Sequence, residues 1–395
     1  MTHDRRDFLQ TVAAGAAGFT AISALPLAAQ TAVSTRANRK MVVRADDIGM
    51  SRFCNIGTFE AIENGVVTAA DVMLDSPGTE DALERLKKFP WISIGWHTHM
   101  WGAPVSDPKR APSLIERTGE FAGRFRTDLA QAQDVVFEEA LAEVRAQLDR
   151  CVKILGKAPD TGGGGRGNAP WGRAMSQVTA EFGLAANFTV PAPPNTKFEA
   201  FRDKYLRHIR DAQQAGEEWA KYYTVGAPGA GGAPAQPGSP TSGRGAAASQ
   251  GAPGGGADPR FASRKIIMPA GTFAYIDLLT DSIAKVEKEY DPVLFYTEDR
   301  AGILDYPEDR IFAQAWHPGY VDYYTYRLGE RANRARAQQF VVGRTQDVAA
   351  MCDSRLKNWI KQHRIELVNF RDALYGTDDY QNHLRTIGSD LYMRG

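Results

Sequence analysis

Cysteine is scarce in this chain. Its 395 residues include three, Cys54, Cys151 and Cys352, and their spacing matches no zinc or redox motif. An odd and small number argues against a disulfide framework, and the three read as buried thiols rather than nucleophiles. A surplus of charge is lacking too, since 47 Lys plus Arg face 47 Asp plus Glu. That balance removes the basic excess that usually accompanies nucleic-acid binding. A convincing membrane span is also missing. The apolar stretch TVAAGAAGFTAISALPLAA near the N-terminus is short, rich in Ala and Gly, and interrupted by Pro26. What remains, at 43% hydrophobic and 24% charged residues, reads as a soluble globular protein with one large domain or two ordinary ones.

Residues 4–10, DRRDFLQ, precede that apolar stretch. A basic start, an apolar middle and small residues at the end have the layout of a secretory signal. Arg5-Arg6 followed by Phe8-Leu9 resembles a twin-arginine export signal. Residues 1–34 are therefore expected to be an export signal, cleaved around 26–34, with the mature protein periplasmic or extracellular. The competing reading is a single anchoring helix.

Strand signals alternate with helical ones from residue 40 onward. Apolar runs at 40–46, 65–74 and 91–99 are separated by helical patterns at 54–65 and 79–90. The first helix is expected to cap at Gly65, and 134–156 is the longest helix candidate. Further helices are expected at 170–182, near 273–290 and at about 331–362. Strands are expected at 184–190, 264–269, 311–316 and 365–370. This alternation predicts an α/β fold, a distorted (β/α) barrel spanning 38–375 and followed by a tail, 376–395. Residues 226–258 are almost entirely Gly, Ala, Pro and Ser, with no large apolar side chains to bury. They predict a disordered surface insertion within the barrel.

In a parallel α/β fold, polar residues at the C-terminal ends of strands converge on one face. Three places qualify: Asp46 and Asp47, His97 and His99, and His317 before Pro318-Gly319. Carboxylates and imidazoles together suit Zn²⁺ or another divalent ion such as Mg²⁺, which acidifies bound water and polarises a carbonyl. Two histidines two apart share a strand face and can reach one ion. The plainer readings are a turn or helix cap at Asp46-Asp47, packing of His97 and His99 beside Trp96 and Trp101, and a structural His317. Trp101, Trp316 and Tyr320 are candidate sugar-stacking residues, or core and rim packing.

Residues 44–78 resemble the YdjC-like family of chitooligosaccharide deacetylase-type proteins. The likeness rests on Ala45-Asp46-Asp47-Ile48-Gly49, then Asn55, Gly65, Thr68 and Pro77. It continues through IGWHTHMWGAPV (94–105), Ser113-Leu114, Gly119-Glu120-Phe121, WHPGYVD (316–322) and VNFRDAL (368–374). The resemblance implies hydrolysis of an N-acetyl group from an acetylated oligosaccharide, with one divalent metal ion as cofactor. It implies Asp46 as general base, Asp47 and His97 as metal ligands, and His317 as acid or transition-state contact. One departure stands out. The family's D-x-H-x-H segment after the long helix corresponds here to GKAPDTGGGGRGNAPWGR (156–173), which has no histidine. Asp160 replaces the missing ligand, or His99 does, or no firm metal site forms. Two other readings keep the fold: a glycoside hydrolase using Asp46, Asp47, Asp160 and Glu298 as paired carboxylates, and a non-catalytic carbohydrate-binding protein. The oligomeric state stays open, with a homo-oligomer among the alternatives.

Overall fold

The computed structural model describes residues 39–98, 100, 102–162, 168–223 and 258–393; the expected export signal and most of the low-complexity insertion lie outside them. Seven strands form one sheet: β1 (Arg39–Ile48), β2 (Ala69–Met73), β3 (Ser93–His97), β4 (Thr161–Gly162), β5 (Ile266–Ile267), β6 (Ile311–Trp316) and β7 (Ile365–Leu367). Every pairing between them is parallel. The order is β4-β3-β2-β1-β6-β5, with β7 on the first residues of β1. The result is a curled half-barrel ringed by helices, the distorted α/β barrel expected from the sequence.

Segment 184–190 does not form the regular strand expected of it. It supplies two single bridges, Thr161 to Ala185 and Thr189 to Ile266, which tie β4 to β5. Asn187 between them has φ +51°, and that left-handed residue breaks the extended run.

The α-helices of six or more described residues are α1 (Arg52–Glu63), α2 (Thr79–Leu86), α3 (Phe137–Leu155), α4 (Pro170–Glu181), α5 (Thr196–Ala215), α6 (Ile283–Glu289), α7 (Tyr323–Cys352), α8 (Ser354–Gln362), α9 (Phe370–Tyr375) and α10 (Asp379–Thr386). Three expectations need correction. Helix α1 ends on Asn64, in right-handed geometry, and not on a left-handed Gly65. Gly65 is instead a packing residue, because a Cβ there would lie 2.4 Å from the Ala61 carbonyl oxygen. The expected helix at 331–362 is two helices, and Asp353 ends α7 and caps α8 through its side chain. At 30 residues, α7 exceeds α3, which has 19. The 376–395 tail contains α10, whose Tyr380 and Leu384 are buried and whose His383 stacks on Trp91 at 3.6 Å.

Two main apolar cores result, beside a small cluster of Met50, Cys54 and Met73. The larger lies between sheet and helices, with Phe59, Leu83, Val144, Trp316 and Trp359 among its members. The smaller contains Val42, Ala69, Ala313, Ala315, Ile266 and Val368, contributed by strands around the barrel. Among the described residues, no helix is long and apolar enough to cross a membrane.

Candidate active site

Adjacent residues of a regular strand point to opposite faces. Asp46 and Asp47 escape that rule. The register between β1 and β2 shifts between Ala45 and Ile48, and Asp47 adopts φ +67°. A non-glycine residue held there stores backbone strain, which is characteristic of functional sites. The turn closes through Met50 N–H to the Asp47 carbonyl at 3.1 Å. Asn55, one turn into α1, accepts Gly49 N–H at 2.7 Å and donates to the Gly78 carbonyl at 2.9 Å. This buried amide holds the loop after β1 against the loop after β2. Both carboxylates are 2% exposed, so each must find a counter-charge.

Each finds an arginine. Arg44 sits two residues before Asp46 on the same strand, and its fork meets Asp46 through Nε to Oδ1 at 2.5 Å and Nη2 to Oδ2 at 2.8 Å. Its Nη1 stands 3.3 Å from Oδ2 of Asp71 on β2. Arg344, on α7 and 1% exposed, donates Nη2 to Asp47 Oδ2 at 2.5 Å. The other Asp47 oxygen lies 2.8 Å from Nε2 of His97, the last residue of β3.

Asp46, Asp71 and His97 each offer a donor atom within 4.8 Å of the others. Asp71 faces Gly95 in the β2–β3 register, and a Cβ on Gly95 would lie 1.9 Å from Asp71 Oδ1. Glycine at 95 is what lets this carboxylate lie across β3.

Burial raises the pKa of Asp46, but the charges of Arg44, His97 and His317 outweigh it and hold the carboxyl below its ordinary value. The same contest leaves Asp47 well below its ordinary value, with Arg344 and the His97 hydrogen bond opposing burial. At Asp71 burial wins over Arg44 and the pKa rises. Burial works against a charged His97, yet Asp46 and Asp47 raise its pKa above the ordinary value.

His317 follows β6. Its Nδ1 is 2.8 Å from the Tyr275 hydroxyl, which donates to the Ala315 carbonyl at 2.9 Å. With the phenol proton committed, Nδ1 carries the imidazole hydrogen and Nε2 is the acceptor. Burial pushes the His317 pKa down to about 4, so the ring is neutral near pH 7. Asp347, one turn from Arg344 on α7, accepts the His317 backbone N–H at 2.9 Å and the Tyr290 hydroxyl at 2.5 Å. The turn after His317 lies between α1 and α7, where a Cβ on Gly57 would come 2.7 Å from Gly319 Cα.

The structure thus gathers Asp46, Asp47 and His97, with His317 close enough to feel both carboxylates. It does not bring Asp160 to them. That carboxylate accepts Ile94 N–H, Lys157 and Arg371, each at 2.7–2.8 Å. Ile94 is near the start of β3, three residues or about 10 Å of strand from His97. Glu298 is exposed and paired with Arg300. Trp316 is fully buried, with its indole N–H on the Tyr296 hydroxyl at 2.7 Å, so it has no surface for a ligand. The Tyr320 hydroxyl donates to Glu60 of α1. His99 and Trp101 lie outside the described residues. Arg44, Asp71, Arg344, Tyr275 and Asp347 join the site, and none of the five closes a strand in the sequence pattern. A signal for Arg44 and Asp71 is nonetheless present: charged residues on the interior-facing side of β1 and β2, among Ala69, Ala313 and Ala315.

Residues 40–160 match the family model described as YdjC-like protein. A carbohydrate deacetylase of Halalkalibacterium halodurans is 35% identical over 115 residues, covering 29% of this chain and 48% of that protein. A carbohydrate deacetylase of Brevibacillus brevis is 41% identical over 114 residues, 29% and 44% of the two chains. A chitooligosaccharide deacetylase of Proteus mirabilis is 33% identical over 121 residues, 30% and 46%. The matches span a little under half the length of these relatives. A solved structure from Enterococcus faecalis V583, described as a candidate cellobiose-phosphate cleavage protein, has a TM-score of 0.47 and 17% identity over 85% of this chain and 99% of that one. The match takes in β1 to β3 and with them Asp46, Asp47, Asp71 and His97; over residues 40–160 this chain is similar to the YdjC-like family.

Proposed function

We propose that this protein is a carbohydrate deacetylase that hydrolyses the N-acetyl group of an acetylated oligosaccharide. The observation that carries the reading is the buried Asp46–Asp71–His97 group on the neighbouring strands β1, β2 and β3, within a segment similar to carbohydrate and chitooligosaccharide deacetylases.

Two carboxylates and an imidazole are a donor set suited to a divalent cation. Asp71 Oδ1 is buried without a hydrogen-bond partner among the described residues, which fits a further ligand there. Asp46, Asp71 and His97 would hold the ion, with Zn²⁺ the first choice and Mg²⁺ the second. When bound, it would supply Lewis-acid polarisation of the amide carbonyl and a more acidic water.

The chain's own residues divide the remaining work. Asp46, kept ionised, takes the proton of the attacking water. Asp47, fixed by Arg344, orients His97 through Nε2, as outer carboxylates orient ligating imidazoles. Water oxygen bonds to the acetyl carbon, the carbon–nitrogen bond breaks, and the sugar nitrogen gains a proton. His317, neutral and an acceptor at Nε2, would take that proton from Asp46 and pass it to the departing amine. Tyr275 holds its tautomer. Phe53 after β1 and Tyr323 after β6 are 51% and 76% exposed and offer apolar faces to a sugar ring.

The test is product analysis on N-acetylated chito-oligosaccharides with added Zn²⁺. Acetate and free amine in equal amounts support the reading; new reducing ends without acetate favour the glycoside-hydrolase alternative. Export to the periplasm remains part of this proposal, carried by the Arg5-Arg6 segment alone.

A further inference from the structure

The candidate metal donors are already bridged by a cation. Arg44 engages both oxygens of Asp46 and stands 3.3 Å from Asp71 Oδ2. Its guanidinium therefore spans two of the three donors that would hold an ion. The arrangement is built into the sheet. Arg44 and Asp46 share a face of β1, and the register Ala45 to Ala70 carries Asp71 to the next position beside Asp46. Ala69 and Ala315 are the register neighbours of Arg44, so small side chains flank it on both sides. Arg44 is 9% exposed and Asp71 8% exposed.

Two cations cannot share this space cheaply. In a buried site, like charges a few ångströms apart repel strongly. A bidentate fork also uses the lone pairs of Asp46 that a metal would need. Without any cation, Asp46 and Asp71 would be two buried carboxylates facing each other.

We propose that Arg44 is a resident counter-cation that competes with a divalent ion for Asp46 and Asp71, and so sets the metal affinity of the site. Metal loading requires the guanidinium to withdraw from the pair. The inference rests on the reading of Asp46, Asp71 and His97 as the metal donors. It assigns Arg44 a positioning and regulatory role, not a catalytic one.

The experiment is a zinc competition titration of the metal-free full chain against a chromophoric chelator, with melting curves, for wild type, Arg44→Gln, Arg44→Lys and Asp71→Asn. Arg44→Gln is expected to bind zinc at least about tenfold more tightly than wild type. Its metal-free form melts lower than wild type, and saturating zinc raises its melting temperature more. Arg44→Lys keeps a charge but loses the fork, and falls between the two. If Arg44→Gln folds only with zinc present, the same conclusion holds, because zinc then does the work of the guanidinium. Equal or weaker zinc binding by folded Arg44→Gln, or by Arg44→Lys where the glutamine variant never folds, overturns the inference. Wild-type zinc affinity in Asp71→Asn overturns the donor assignment and this inference with it. None of these readouts uses acetate release, so a failure of the deacetylase reading is seen separately.

Discussion

Nε of Arg44 lies 2.5 Å from Oδ1 of Asp46, two residues along the same strand. In the metal-free protein the pair keeps ionised the buried carboxylate proposed as the proton acceptor. Asp46→Asn removes the acceptor with almost no change in shape. Acetate release should fall by about 10²–10⁴-fold, and visible spectra of the cobalt-loaded protein should report weaker binding, because Asp46 is also one of the three proposed donors. A variant that keeps a wild-type rate would remove Asp46 from the mechanism.

Arg344 and Asp47 form the second buried pair, at 1% and 2% exposure. Breaking such a pair from one side leaves an uncompensated charge, which costs about 3–5 kcal/mol. Arg344→Met should lower the urea midpoint accordingly. A midpoint equal to wild type would mean that Asp47 has another sufficient counter-charge.

Gly95 is predicted to tolerate no side chain. Its Cβ would lie 1.9 Å from Asp71 Oδ1, inside any van der Waals contact. Gly95→Ala should cost about 1–3 kcal/mol from overpacking and should weaken zinc binding by displacing Asp71. Thermal melts and the zinc titration check the two effects independently.

Asp347 gives a pH signature in stability. Burial raises its pKa from 3.8 to about 7, against the pull of Tyr290, the His317 N–H and Arg344. The folded state therefore holds this proton more tightly than the unfolded chain. The resulting stabilisation is complete below pH 3.8 and is lost as pH rises through 7. Asp347→Asn should flatten that part of the melting-temperature profile between pH 4 and 7. Asp75, raised by burial to about 6, keeps a slope of the same sign, and His317, lowered to about 4, contributes one of opposite sign. An unchanged profile in the asparagine variant would show that Asp347 is already ionised in the fold.

The strand-end rule makes Asp46, Asp47, His97 and His317 legible in the sequence, because each closes an apolar run. Asp71 is not legible in that way. It sits inside the run AADVML, with no turn after it, and only the register with β1 and β3 reveals its neighbours. Arg344 and Asp347 belong to a 30-residue helix rich in charge, where a charged residue usually marks a solvated face. Asp160 illustrates the opposite error. Its place along the chain, just after the long helix, suggests a ligand, but chain order does not specify height along the barrel axis. The carboxylate lies by the start of β3 and serves Arg371 and Lys157. The fold itself is largely readable from the alternation of periods two and 3.6. Helix α5 carries the same signal, a stripe of Phe198, Phe201, Tyr205, Ile209 and Ala212 at helical spacing, although it is not among the helices expected above.

The most direct measurement is acetate released from an N-acetylated chito-oligosaccharide by the zinc-supplemented full chain, compared with its Asp46→Asn variant. The account predicts one acetate for each free amine formed by wild type and a loss of about 10²–10⁴-fold in the variant. Release of no acetate by a folded, zinc-loaded wild-type protein across N-acetylated glycans would contradict it.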